Sequence, residues 1–421
     1  MFYRQSPAVN CVLLLQYGLS KQGSYMQPND LSASQANGTV THYSGLSGNE
    51  MYCAYLLGYA PGDLLVGNSV FSMGFIGGLG SGIRTFVGGE ITQYTNMIAE
   101  GRRLSLHRFE QELQQTGGSG ATGVTSELIF HPGNVEFLTV GSTIHRADGQ
   151  TDSSGFTTSA DAQELFCQWD AGYAPSSFVF GNVAYSIGVG KGITGALRQL
   201  AKGEVRQYSD IFNKTRNLAL QRLQHEAQER GANSVVGVRT TILPIGTSGV
   251  QEMVMIGTAS YNQQIADIAA SVGGVTTSDM TAEETWNVAN MGYAPLKLVL
   301  GTSVYSLGVV GGMMASLRNF VKGEIKEMTE LIYGAREQSL QRVREQAQAI
   351  GADDVLGVKT YIYNLGNGVI EFLAIGTAVK RLDGISTRTE QLPPQAIIRD
   401  KDTFVNTAEF SFGVDLEHPA R

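Results

Sequence analysis

The sequence predicts an α+β protein made of three tandem repeats of one small α/β domain, each a mixed sheet packed by a long helix. Three observations predict it. The tetrapeptide Gly58-Tyr59-Ala60-Pro61 returns as Gly172-Tyr173-Ala174-Pro175 and again as Gly292-Tyr293-Ala294-Pro295. A Gly-Glu pair follows each tetrapeptide at one fixed spacing, as Gly89-Glu90, Gly203-Glu204 and Gly323-Glu324. Helix and strand signals then recur in the same order in each unit. A fixed period in one chain marks a supersecondary unit used several times.

Each unit opens on a helix. Ser47 with Glu50, and Thr281 with Glu284, read as capping boxes, and Asp161 is a good N-cap in the second unit. The glycine of the tetrapeptide, soon followed by proline, stops this helix. Next come apolar runs, Leu64–Phe71, Phe178–Ile187 and Leu298–Leu307, read as buried strands. A glycine-rich segment leads to a short helix through Arg84, Arg198 or Arg318. The Gly-Glu turn then opens the longest helix, from about Glu327 to Ala349 in the third unit. Its Leu340, Val343, Ala347 and Ile350 fall on one face. Two strands, Val355–Tyr363 and Val369–Val379, close the unit as a hairpin.

These signals divide the chain into a first repeat with an N-terminal strand extension (1–145), a second (156–261), a third (277–380) and a C-terminal extension (381–421). The apolar run Ala8–Tyr17 reads as a strand, being too short to span a bilayer. No transmembrane segment is expected.

The chain has 421 residues, 42% apolar and 16% charged, with a net charge of -8. That charge is the wrong sign for nucleic acid or for a polybasic membrane anchor. Three cysteines, Cys11, Cys53 and Cys167, do not make a disulfide framework, which points to a reducing, cytoplasmic compartment.

Several charged columns recur. They are Arg84, Arg198 and Arg318; Glu90, Glu204 and Glu324; Arg102, Arg216 and Arg336; Arg108, Arg222 and Arg342; and Glu136, Glu252 and Glu371. The last set lies in the final strand and should face outward or into a polar seam. Salt bridges between neighbouring domains are the expected role.

The order of these motifs resembles the YbjQ family, also called the "putative heavy-metal-binding domain". The likeness is strongest from Ala335-Arg336 into Ile350-Gly-Ala-Asp-Asp-Val-Leu-Gly-Val358 and in Val369–Ala378. The second unit matches in Gly231–Val238, and the first is the most divergent, with Gly118, Ser119 and Gly120 in place of the Gly-Ala-Asn signature. The resemblance implies an α+β fold, members that close into pentameric rings, and no established catalytic residues. Three does not divide five. Five chains stacking three rings, one per repeat, is the favoured expectation; repeats side by side in one ring is the alternative.

The chemistry of the side chains gives little support for a reaction. None of His42, His107, His131, His145, His225 and His418 recurs between repeats, and the third unit has Asn287 where the others carry Cys53 and Cys167. A metal site is therefore left unassigned, and no cofactor is expected. Gly77–Gly82 and Gly188–Gly192 are glycine-rich turns, but the pattern ending in Gly-Lys-Ser/Thr is absent, since Gly192 follows Lys191. A hydrolase lacks its histidine column. The expected function is thus a non-enzymatic, ring-forming scaffold, with its own copies as partners. The alternative is a protein that binds a metal ion or small anion at domain interfaces.

Overall fold

The computed structural model describes residues 42–72, 89–150, 155–186, 203–245, 250–306, 326–366 and 369–398. The Ala8–Tyr17 run, both glycine-rich turns, Arg84, Arg198, Arg318 and Glu324 lie outside the described residues.

One set of elements appears three times. The first unit has α1 (Gly48–Leu56), β1 (Tyr59–Ser72), β2 (Gly89–Glu90), α2 (Thr92–Gln115), β3 (Gly120–His131) and β4 (Asn134–Arg146). The second has β5 (Phe156–Thr157), α3 (Ala162–Asp170), β6 (Ala174–Ser186), β7 (Gly203–Glu204), α4 (Arg206–Glu229), β8 (Ser234–Ile245) and β9 (Val250–Tyr261). After the short α5 (Ala266–Ser271), the third has β10 (Thr276–Thr277), α6 (Ala282–Asn290), β11 (Tyr293–Ser306), α7 (Lys326–Ala349), β12 (Asp354–Gly366) and β13 (Val369–Arg381). A last turn, α8 (Pro394–Ile397), follows.

Local sequence explains the boundaries. The first helix of every unit starts at a full capping box, and the second unit builds its own from Asp161 and Glu164. Each ends at the tetrapeptide glycine, where Gly58, Gly172 and Gly292 take φ of 82°, 89° and 81°, a region open to glycine at no steric cost. The long helix then lies across the first strand. It comes so close that a Cβ at Gly67, Gly181 or Gly301 would sit 2.2 Å from the carbonyl oxygen of Ser105, Ala219 or Ser339.

In each unit the long strand after the first helix (β1, β6 or β11) and the last two strands form an antiparallel sheet, with the last strand in the middle. These sheets do not end at unit boundaries. The sheet orders are β1-β4-β3-β5, β10-β8-β9-β6-β2 and β12-β13-β11-β7. Thus β2 of the first unit extends the second unit's sheet, and β7 of the second extends the third's. In return β5 and β10 pair in parallel with β3 and β8 of the preceding unit. The repeats of one chain therefore lie side by side, joined edge to edge. This corrects the expectation of one repeat per stacked ring, because mutual strand exchange fixes consecutive units laterally.

The reading of the first strand as buried needs a second correction. Strands β6 and β11 are covered on both faces, whereas β1 alternates buried and exposed residues. Among the described residues no strand or helix of another unit covers the outer face of β1.

Residues 382–398 run back along the row of first helices. Leu382 N–H donates to Gly292 O at 3.0 Å and Arg388 N–H to Asp170 O at 2.8 Å. Gln163 and Asn49 both donate to Ile398 O, at 2.7 and 3.1 Å. Leu382, Ile385, Leu392 and Ala396 pack in an apolar cluster with Cys53, Phe166 and Trp286. The segment so touches all three units.

Candidate functional site

The charged columns meet at the two seams between units. At the first seam, Arg102 on α2 reaches Glu252 on β9 of the next unit. Its Nε and Nη2 donate to Oε1 and Oε2 at 3.3 and 2.9 Å, and Nη1 donates to Ser126 O at 2.8 Å. Both side chains are buried. At the second seam, Arg216 on α4 pairs with Glu371 on β13, with Nη2 donating to Oε2 at 2.9 Å, and Nη1 donates to Thr302 Oγ1 at 2.9 Å. The Arg216 guanidinium lies over the rings of Phe212 and Tyr363.

Burial opposes both charges of the second pair. It pushes the Glu371 carboxyl up against the pull of Arg216. It also opposes the Arg216 charge, but Glu371 and Tyr185 outweigh it and hold the guanidinium protonated. With the cation fixed and the fork aligned, the pair is ionic.

A second link runs the other way. Arg222 reaches Glu90 at 2.8 Å and Arg342 reaches Glu204 at 2.7 Å. Each of these arginines also donates to its own unit's first strand, at Asn182 O and Thr302 O. The glutamate of the Gly-Glu turn is thus clamped by the unit whose sheet it extends. Ala184 N–H donates to Thr95 Oγ1 and Val304 N–H to Ser209 Oγ, both at 2.9 Å. Apolar side chains fill the rest: Phe178, Phe180 and Val254 lie in one cluster with Ala99, Leu106 and Val124 of the preceding unit.

The ends of the array break the pattern. Arg336 is exposed and has no ion-pair partner among the described residues. Glu136 receives Asn68 Nδ2 at 3.2 Å, as Glu252 receives Asn182 Nδ2 at 3.2 Å, but its other oxygen meets His131 at 2.7 Å. His131 holds the Glu136 carboxyl below the usual carboxylate range. Arg108 donates to Asn68 O, the counterpart of the Arg222 and Arg342 contacts.

Sequence reasoning found the arginine and glutamate columns but not their pairing across units. It also missed Thr95 with Ser209 and the packed glycines Gly67, Gly181 and Gly301. Both sets recur at the offsets of the tetrapeptide, which was the available signal. The closing Ser/Thr column holds the chain that enters each unit. The Ser142 and Thr258 hydroxyls accept Gly45 N–H and Ser159 N–H, at 3.0 and 3.1 Å. Thr377 accepts Asp279 N–H at 3.0 Å.

The donors among the described residues do not suit a heavy metal. Among the described residues no three His, Cys, Asp or Glu side chains gather to hold an ion. Cys53 and Cys167 are buried free thiols, and burial pushes the Cys53 thiol up to about 12, far from the thiolate that binds metal. A cleft of about 250 Å³ does lie between the second and third units, where Arg239 pairs with Glu164 at 3.1 Å and Lys359 with Asp279 at 3.3 Å. Its cations are already neutralised by neighbours.

Fold and seams together define a tandem-repeat α+β protein whose units join by strand exchange and buried ion pairs. The chain belongs to the YbjQ family, described as "Putative heavy-metal-binding", whose pattern matches residues 61–129, 174–263 and 280–381. It is similar to an encapsulin nanocompartment protein of Mycobacterium tuberculosis, 29% identical over 239 residues, which are 56% of this chain and 89% of that protein. It is also similar to a UPF0145 protein of Saccharolobus islandicus, 41% identical over 85 residues, 20% of this chain and 75% of that one. A UPF0145 protein of Enterococcus faecalis is 35% identical over 100 residues, 24% of this chain and 92% of its own length. No described helix is long and apolar enough to cross a membrane, which says nothing of a β-barrel.

Proposed function

We propose that this protein is a non-enzymatic structural scaffold that assembles with its own copies into a closed ring. The observation that carries the reading is the seam. Units already join edge to edge twice within one chain, through exchanged strands and buried Arg–Glu pairs. Such head-to-tail contacts generate a ring when the rotation closes. The similarity to a protein named for a nanocompartment supports a structural role. The paired columns at Arg102, Arg216, Glu252 and Glu371 act as register-setting contacts in this reading. Its repeating parts are the units 1–145, 156–261 and 277–380, and the buried free cysteines fit a cytoplasmic setting.

The resemblance implies five units per ring, and the expected homopentamer of chains followed from stacking one repeat per ring. With the repeats side by side, a single ring of this chain alone holds a number of units divisible by three. Five chains would then supply fifteen. The native mass of the purified protein by light scattering, with negative-stain images, tests the reading. A discrete multiple of the 45.2 kDa chain with ring-shaped particles is expected. A monomer at tens of micromolar would overturn it.

The interface-binding alternative rests on the cleft between the second and third units. Paired cations and the lack of a described donor cluster leave it with less support than the seams give the scaffold.

A further inference from the structure

Each seam joins a trailing face to a leading face. The trailing face is the long helix and penultimate strand of one unit. The leading face is the first and last strands of the next. Three units make two seams, so among the described residues one leading and one trailing face have no counterpart within the chain.

Both faces are built like seam halves and are open. On the leading face, Leu64, Val66 and Val70 are 40–58% exposed, whereas their counterparts on β6 and β11 are at most 3% exposed. On the trailing face, Val358 is 42% exposed, against 0% and 3% for Val124 and Val238. Ile362 is 57% exposed, against 5% for Leu128. Among the described residues the outer edges also match. Strand β1 lacks the two-residue strand that extends β6 and β11, and β12 lacks the parallel strand that covers β3 and β8. A bare edge beside exposed apolar side chains is a template for pairing.

The charges are complementary. The trailing face offers Arg336, at the position of Arg102 and Arg216. The leading face offers Glu136, at the position of Glu252 and Glu371, already oriented by Asn68. His131 occupies the second oxygen and is 47% exposed, so it can move aside.

We propose that these two faces form a third seam between two copies of this chain, with Arg336 of one copy seated on Glu136 of the next. This rests on the scaffold reading above and supplies its contact. The two in-chain seams are the pattern: the same columns, the same edges and the same apolar positions. The first unit is therefore the acceptor end of an array that continues across chains.

Charge reversal tests the seam on the full chain. Arg336→Glu and Glu136→Arg change open faces and leave both in-chain seams intact, so circular dichroism, and melting of protein diluted below the assembly concentration, should match the wild type. Each variant alone should need about a hundredfold higher concentration for half-assembly, the size expected for breaking an ion pair buried on association. The double variant Arg336→Glu with Glu136→Arg should assemble again, since every copy then presents a complementary pair to the next. A wild type that stays monomeric would overturn the scaffold reading and this seam together. A wild type that assembles, with single variants of unchanged mass or a double variant that fails to recover, would overturn the seam alone. Should a reversal unfold the chain, Val66→Asp on the same open face reads the same contact.

Discussion

The Arg216–Glu371 pair gives the sharpest test of the seam energetics. Both side chains are almost wholly buried, at 1% and 0% exposed. Arg216→Met removes the cation and leaves a carboxylate facing Thr302 and the Tyr185 and Tyr363 rings with no compensating charge. Breaking one partner of a buried pair costs about 3–5 kcal/mol. Replacing both by apolar residues of similar volume, as in Arg216→Met with Glu371→Met, removes the desolvation of two ions together. That double variant should lie within about 1 kcal/mol of the wild type or be more stable. The coupling between the two sites is then several kcal/mol and opposite in sign to simple addition. Urea unfolding at one protein concentration, followed by fluorescence of Trp169 and Trp286 and by circular dichroism, measures all four corners. The single variant should shift the transition that separates the second and third units. If Arg216→Met costs less than about 1 kcal/mol, the ion pair is not what holds this seam. If the double variant costs as much as the two singles together, the argument from desolvation is wrong.

Two further outcomes follow from single positions. Burial pushes the Glu226 carboxyl up to about 7 in the fold, above the 4.5 of a solvated glutamate. Its stability contribution is therefore fullest below about 4.5 and is lost as pH rises to about 7. Gln346 occupies the same place in the third unit and bonds the Leu300 backbone through both amide atoms. Glu226→Gln should thus be more stable than the wild type at pH 7.5, by up to about 3 kcal/mol, and match it near pH 4.5; a constant difference across that range in urea titrations would refute this. Gly181→Ala puts a methyl 2.2 Å from the Ala219 carbonyl and should cost about 1–3 kcal/mol, while Gly48→Ala, with open space around it, should be neutral or better. Equal melting temperatures for the two alanine variants would refute the close helix–strand contact.

The sequence alone determined the repeat, its helix boundaries and the order of its elements along the chain, because those depend on local signals. The capping residues Ser47, Asp161 and Thr281, and the positive-φ glycines Gly58, Gly172 and Gly292, act within one or two turns of themselves. The charged columns were legible too, since each recurs at the spacing of the tetrapeptide. Their partners were not. Arg102 and Glu252 are 150 residues apart, and Arg216 and Glu371 are 155. No periodicity says whether a column pairs within its unit or with the next. Only the tertiary structure decided that, by passing each Gly-Glu strand into the following sheet and carrying the long helix with it. The same step laid the repeats side by side and left β1 uncovered. Burial of a strand depends on which neighbour arrives, and a residue pattern shared by three units cannot say that one of them stands at the end.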